Sequence, residues 1–150
     1  MSKRHFEDFT VGEVVPLPAR RISRAEIIAF ATEFDPQPFH LDELAPATDL
    51  TSGLFASGWH VSAVFMRMLC EGLLLESACI GSPGIDTLKW RRPIRPGDVL
   101  AGTATVLELR PSKSRPDMGI VRFRHEVTNQ ADEVVMWLEN PILFTRRGGA

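Results

Sequence analysis

The sequence predicts an α+β domain in which a curved antiparallel sheet wraps around one long central helix. Three observations predict it. A segment opening at Ser57-Gly58 is apolar on most of its faces at helical spacing, and the chain after Ile85 changes to the two-residue period of strands separated by short turns. Only one other strong helix signal, short and capped, precedes them. A length of 150 residues suits a single compact domain with one sizeable core, so residues 1–150 are read as one unit.

The first element, Phe6 to Ile22, holds Val14, Val15, Leu17 and Ile22 but also Pro16 and Pro18. Proline cannot donate to a ladder, so this stretch reads as an irregular extended lead-in or an edge strand. Ser23 followed by Glu26 is a capping box, and Ile27, Ile28, Phe30, Ala31 and Phe34 form a stripe at helical spacing. A helix over Ser23 to Phe34 follows. Asp35-Pro36-Gln37-Pro38 ends it in a stiff turn, because each proline lacks a donor and disfavours helix in the residue before it.

A short helical turn is expected within His40 to Ala47, then a polar loop through Pro46, Thr48, Asp49, Thr51, Ser52 and Gly53. The long helix starts at Ser57-Gly58. Val61, Val64, Phe65, Met68, Leu69 and Gly72 share one face, and Trp59, Ala63, Met66, Cys70 and Leu73 make the adjacent faces nearly as apolar, which predicts a helix buried in the middle of the fold. Strands are expected over Thr87 to Ile94, Val99 to Leu109, Ile120 to Thr128 and Val134 to Phe144. Turn-rich connections separate them, which favours antiparallel pairing. Arg146 to Ala150 reads as a frayed tail.

Composition narrows the function classes. Hydrophobic residues make up 44% and charged residues 24%, far from the signature of disorder, and a formal charge of −2 gives no overall attraction for nucleic acid or an anionic membrane. No apolar stretch is long enough to span a bilayer. The first ten residues lack the apolar core of a secretory signal, so a cytoplasmic location is expected. Cys70 and Cys79 are too few for a disulfide framework and lack metal or redox spacing; both are read as reduced thiols.

A sheet wrapped on one helix is the hot-dog layout, and here the sequence resembles a known family. The MaoC-like acyl dehydratases and (R)-specific enoyl-CoA hydratases are matched by Phe30-Ala-Thr-Glu-Phe-Asp35-Pro-Gln-Pro-Phe-His40-Leu-Asp42 and by Gly53-Leu-Phe-Ala-Ser-Gly58-Trp-His. Arg92-Pro-Ile-Arg-Pro-Gly97-Asp98 resembles a third family element. The most specific part is an aspartate, a proline-flanked loop and a histidine. The chain departs from the common family pattern, Asn-Pro-x-His and His-Gly, where it has Gln37-Pro38-Phe39-His40 and Ser57-Gly58.

The resemblance implies a hydro-lyase of fatty-acid metabolism in which Asp35 and His40 hold the catalytic water and the Gly58 amide stabilises the enolate oxygen. The chemistry agrees: hydrating an enoyl thioester requires a base as water attacks C3, an acid at C2, and a donor for charge on the thioester oxygen. A helix start with no side chain in the way can supply that donor. Which of Asp35 and His40 is the base stays open. Gln37, Phe39, Ser57, Trp59 and Arg92 are expected to face substrate, Gln37 keeping amide chemistry and Ser57 an N-cap. The implied partners are an acyl-CoA or acyl carrier protein thioester, with no metal or redox cofactor, in a homodimer or dimer of dimers.

Blander readings stand beside these. The histidine could simply bridge its loop, and the aspartate could bond only local backbone. The basic cluster Lys89, Arg91, Arg92 and Arg95 could attract the phosphates of coenzyme A, though charges alternating on an exposed strand are the commoner cause. Phe65, Met66 and Met68 are read as core rather than an acyl tunnel. His60 is placed on the helix wall, and His5 and His125 toward solvent or a strand neighbour. An acyl-CoA thioesterase or a catalytically silent acyl-binding subunit are the alternative functions.

Overall fold

A computed structural model describes residues 3–42 and 53–148. The wrapped-helix prediction holds: among the described residues, six strands form one antiparallel sheet that curls around a helix. β1 (Val14–Arg21), β4 (Val99–Pro111), β5 (Met118–Thr128), β6 (Val134–Thr145) and β2 (Cys79–Gly81) lie in that spatial order, and β3 (Thr87–Trp90) also pairs with β6. Strict alternation makes the sheet's inner face. Val121, Phe123, His125 and Val127 of β5 are buried, as are Leu100, Ala104 and Val106 of β4. Burying a side chain such as Phe123 stabilises the fold by about 1.5–3 kcal/mol.

The first helix, α1 (Arg24–Phe34), is capped as its sequence predicts. Ser23 Oγ accepts from Glu26 N at 3.1 Å and donates to Glu26 Oε1 at 2.9 Å. Only Ile27 and Ala31 of its apolar stripe are buried; Phe34 stays 66% exposed. β1 is an edge strand, as its prolines require. Its Leu17 packs against α2 (Gly58–Gly72) near Gly72.

Several expectations need correction. α2 is not enclosed on all sides: Val61, Val64, Phe65, Met68 and Leu69 are buried, whereas Trp59 is 64% and Met66 45% exposed, because one chain's sheet covers only one side of the helix. β3 stops at Trp90 instead of Ile94. Arg91 N and Arg92 N both donate to Val135 O, at 2.7 and 3.3 Å, which kinks the strand just before Pro93 removes the next donor. The turn near His40 is a 3₁₀ turn at Pro38–His40, and the loop signals at Pro46, Thr48, Asp49, Thr51 and Ser52 lie outside the described residues.

The tail through Gly148 is tied down rather than frayed. Arg147 donates to both carboxylate oxygens of Asp8, at 2.8 and 2.7 Å, and its backbone N to Glu7 Oε1 at 2.8 Å. This fork holds the Asp8 pKa down at about 2. His125 does not face solvent: it is 1% exposed, stacks on Phe123, and its Nε2 lies 2.9 Å from Asn140 Oδ1 on the neighbouring strand. Burial lowers its pKa to about 4. Among the described residues no helix is long and apolar enough to cross a membrane.

Candidate active site

The bend after α1 brings two titratable groups together. Asp35 caps the helix, its N–H donating to Ala31 O at 2.9 Å, and Pro36 diverts the chain at once. Gln37 N then donates to Asp35 O at 2.8 Å, and Pro38–His40 close one 3₁₀ turn in which His40 N donates to Gln37 O at 2.9 Å. These local bonds swing His40 back under the helix end. Its Nε2 sits 3.3 Å from Asp35 Oδ2, with the two side chains 5% and 16% exposed.

Hydrogen-bond partners orient the pair. His40 Nδ1 lies 2.7 Å from Phe55 O, and a carbonyl only accepts, so Nδ1 carries a hydrogen, and whenever the ring is neutral its lone pair is on Nε2. Burial pushes the Asp35 pKa upward. That push is outweighed by the Gln37 amide, which donates to Asp35 Oδ1 at 2.6 Å, by the nearby Ser57 hydroxyl and by His40, so Asp35 titrates below the usual carboxylate range. With the ring charged the pair is an ion pair; with the ring neutral, a carboxylate oxygen and an imidazole lone pair face each other. Two acceptors at that distance bond only through a proton on one of them, or through a molecule that donates to both.

The peptide unit between Phe55 and Ala56 anchors this arrangement. Its carbonyl takes the His40 bond, and its N–H donates to Ile94 O at 2.9 Å. Behind it, Phe39 stacks on the Phe55 ring at 5.3 Å and meets His40 edge-on at 4.6 Å.

The start of α2 completes the site. Ser57 occupies the N-cap position with its side chain making no cap bond; the hydroxyl is buried near Asp35, whose pKa it helps to lower, though it has no well-formed hydrogen bond among the described residues. Gly58 is the first helical residue, whose amide has no carbonyl one turn earlier within the helix to satisfy it. A Cβ at Gly58 would fall 2.6 Å from two atoms of the Trp90 indole, so only glycine fits. Asp35, Gln37, His40, Gly58, Trp59 and Arg92 all line one cavity of about 470 Å³.

Comparison with known proteins shows the family. A family model described as a MaoC like domain matches residues 8–129. The chain belongs to the MaoC-like family. A crystal structure of a MaoC-like dehydratase from Rhodospirillum rubrum is 46% identical, with a TM-score of 0.88 over 95% of this chain and 97% of that one. An (R)-specific enoyl-CoA hydratase of Rhodospirillum rubrum is 31% identical, covering 96% of this chain and 94% of its own length. The unliganded (R)-hydratase of Pseudomonas aeruginosa is 25% identical, with a TM-score of 0.77 over 97% of this chain and 88% of its own.

In this MaoC-like domain two of the residues expected to face substrate stand elsewhere. Phe39 and Ser57 do not line the cavity; Phe39 backs the imidazole, and Ser57 is buried near the aspartate. Arg92 reaches the rim, where its guanidinium also pairs with Glu133 at 3.1 Å. Arg91 lines the cavity beside it, whereas Lys89 does not. Arg95 instead donates to Leu54 O at 3.3 Å and lies over the Phe55 ring.

His60 is buried away from the cavity and stacked on Phe30 at 4.8 Å, with its pKa lowered by burial. Trp90, Ile94 and Val135 are wall residues that sequence reasoning missed. Alternation along β3 marks Trp90 as facing the same way as Leu88, a signal that would have pointed to it. No sequence signal marks the Phe55 carbonyl. Among the described residues no group of three or more His, Cys, Asp or Glu side chains is placed to hold a metal ion.

Proposed function

We propose that this MaoC-like domain adds water to, or removes it from, the 2,3-double bond of an enoyl thioester. The observation that carries the reading is the contact of Asp35 Oδ2 with His40 Nε2 at 3.3 Å, inside the cavity that Gly58 and the start of α2 also line. A water that donates one hydrogen to each acceptor is held with its lone pairs turned outward, toward C3. As the C3–O bond forms, the pair receives the proton that the water loses, and the π electrons move to the thioester oxygen. The pair then returns one proton to C2, so hydration consumes one water and leaves the enzyme unchanged. The Gly58 amide faces the developing oxyanion, with the positive end of the helix dipole behind it.

Gln37 serves as a positioning residue by fixing Asp35 Oδ1 and leaving Oδ2 for the reaction. Arg91 and Arg92 at the rim suit the phosphates of a coenzyme A or carrier-protein thioester. The related hydratases of Rhodospirillum rubrum and Pseudomonas aeruginosa support hydration over hydrolysis. The uncovered apolar side of α2, with Trp59 and Met66 exposed, favours a homodimer.

The test is a panel of enoyl thioesters incubated with the purified protein. Loss of enoyl-thioester absorbance without release of free thiol is the expected result. Thiol release would make the protein a thioesterase, and silence across all acyl lengths would make it an acyl-binding subunit.

A further inference from the structure

A second cavity of about 300 Å³ lies beside the first, and the two share no lining residue among those described. Three elements nevertheless run continuously from one to the other. On α2, Gly58 lines the first, and Ser62 and Met66, one and two turns on, line the second; on β6, Val135 lines the first and Leu138 the second. On β3 the boundary is sharpest. Trp90 and Leu88 point the same way two residues apart, Trp90 into the first cavity and Leu88 into the second. The two cavities thus follow one another along the same helix and strands, and on β3 the boundary between them falls at the Trp90 indole, itself 45% exposed.

The indole is held. It packs flat against the space a Cβ would take at Gly58, its Nε1 donates to Ser62 Oγ at 3.2 Å, and Trp59 meets it edge-on at 5.1 Å. Ser62 is in turn fixed by donating to Gly58 O at 3.0 Å. Beyond the indole the second cavity is lined, among the described residues, by no charged side chain and mainly by apolar ones, including Phe65, Met66, Leu69, Leu88 and Ile142. Such a lining suits a hydrocarbon tail and not the phosphates of a carrier.

We infer that Trp90 is a partition that confines the acyl chain to the first cavity and so restricts the enzyme to short enoyl thioesters. This rests on the proposed hydration chemistry, with the reacting carbons at Asp35 and His40 and the tail directed along α2. A chain longer than a few carbons must displace the indole, break its bond to Ser62 and open Gly58 to solvent. Once the indole is gone, the apolar space beyond it becomes an extension of the acyl site.

The experiment compares crotonyl-CoA with octenoyl-CoA in the full-length protein, using kcat/KM for each. Wild type favours crotonyl-CoA. Trp90→Ala raises the octenoyl-to-crotonyl ratio of kcat/KM at least about tenfold, a change carried mainly by the octenoyl KM, since adding apolar contacts over even one methylene is worth that much. Adding Leu88→Trp to Trp90→Ala refills the passage and reverses the gain, whereas Trp90→Phe keeps a ring over Gly58 and leaves the octenoyl-to-crotonyl ratio within about threefold of wild type. Should Trp90→Ala fail to fold, Trp90→Leu keeps apolar packing on the helix and shortens the side chain.

Calorimetric binding of saturated octanoyl-CoA provides a second readout independent of turnover. Tightening of at least about tenfold in Trp90→Ala supports the partition even if no enoyl thioester is hydrated, in which case only the hydration reading falls. An unchanged ratio and unchanged octanoyl binding in a folded Trp90 variant overturn the partition, as does a wild type that already prefers octenoyl-CoA.

Discussion

A methyl group at position 58 would collide with Trp90 at 2.6 Å, so the first residue of α2 and the indole of β3 are fitted to each other without a gap. Gly58→Ala must therefore move either the helix start or the ring. We expect a loss of about 1–3 kcal/mol in stability, as in other overpacked sites. Activity should fall about 100-fold, because a helix start displaced by an ångström no longer aims its amide at the thioester oxygen. Chemical denaturation and steady-state kinetics on the same preparation check both, and full turnover in the Gly58→Ala variant would remove the amide from the mechanism.

Asp35→Asn and His40→Ala should each lower turnover by about 10²–10⁴-fold while the fold survives. Neither side chain belongs to the hydrophobic core. Circular dichroism melts confirm folding, and absorbance assays read the rate; near-wild-type rates in either variant would dissociate the pair from catalysis.

Gln37→Leu removes the donor on Asp35 Oδ1 and should raise the Asp35 pKa toward its ordinary value. The sign follows from linkage. With the folded pKa depressed, ionised Asp35 contributes stability that is present above the unfolded carboxylate pKa and lost as pH falls through the folded one. The acid limb of the activity profile should move to higher pH in Gln37→Leu, and carboxyl NMR titration of Asp35 should show the same displacement. An unmoved limb with an unmoved titration would count against a positioning role for Gln37.

His125 makes acid sensitivity a property of the core. Its folded pKa of about 4 lies below the ordinary imidazole value, so between the two the unfolded chain binds more protons and stability falls as pH falls. The slope should be about 1.4 kcal/mol per pH unit from this group. Urea melts across that range should show it in wild type and show it reduced in His125→Gln, which still can bond Asn140. An equal slope in both would place the acid sensitivity elsewhere.

Much of this architecture is legible because its signals are local. The Ser23–Glu26 box starts α1 where expected, and β4, β5 and β6 end within two residues of their predicted bounds. β2 escapes notice because the three residues Cys79–Gly81 are too short to show a period. β3 is overextended because its stop depends on two amides sharing the carbonyl of Val135, a partner more than 40 residues away. In the site, Asp35 and His40 are legible because prolines stiffen the link between them. Ser57 takes the expected N-cap position, but its hydroxyl makes no cap bond and is buried out of the cavity instead of facing substrate. Alternation along β3 gives the face of Trp90, but that this face is a cavity wall depends on β3 pairing with β6.

The tautomer of His40 is dictated by main chain, and no side-chain substitution at residue 55 deletes that carbonyl. What can disturb it is rotation of the amide plane, which the strand-flanking carbonyl of Ile94 resists from the opposite side. The orientation of the imidazole is thus mechanically geared to the segment that follows the Trp90 strand, and a shift of that segment would throttle the chemistry while leaving every reactive group in its sequence position.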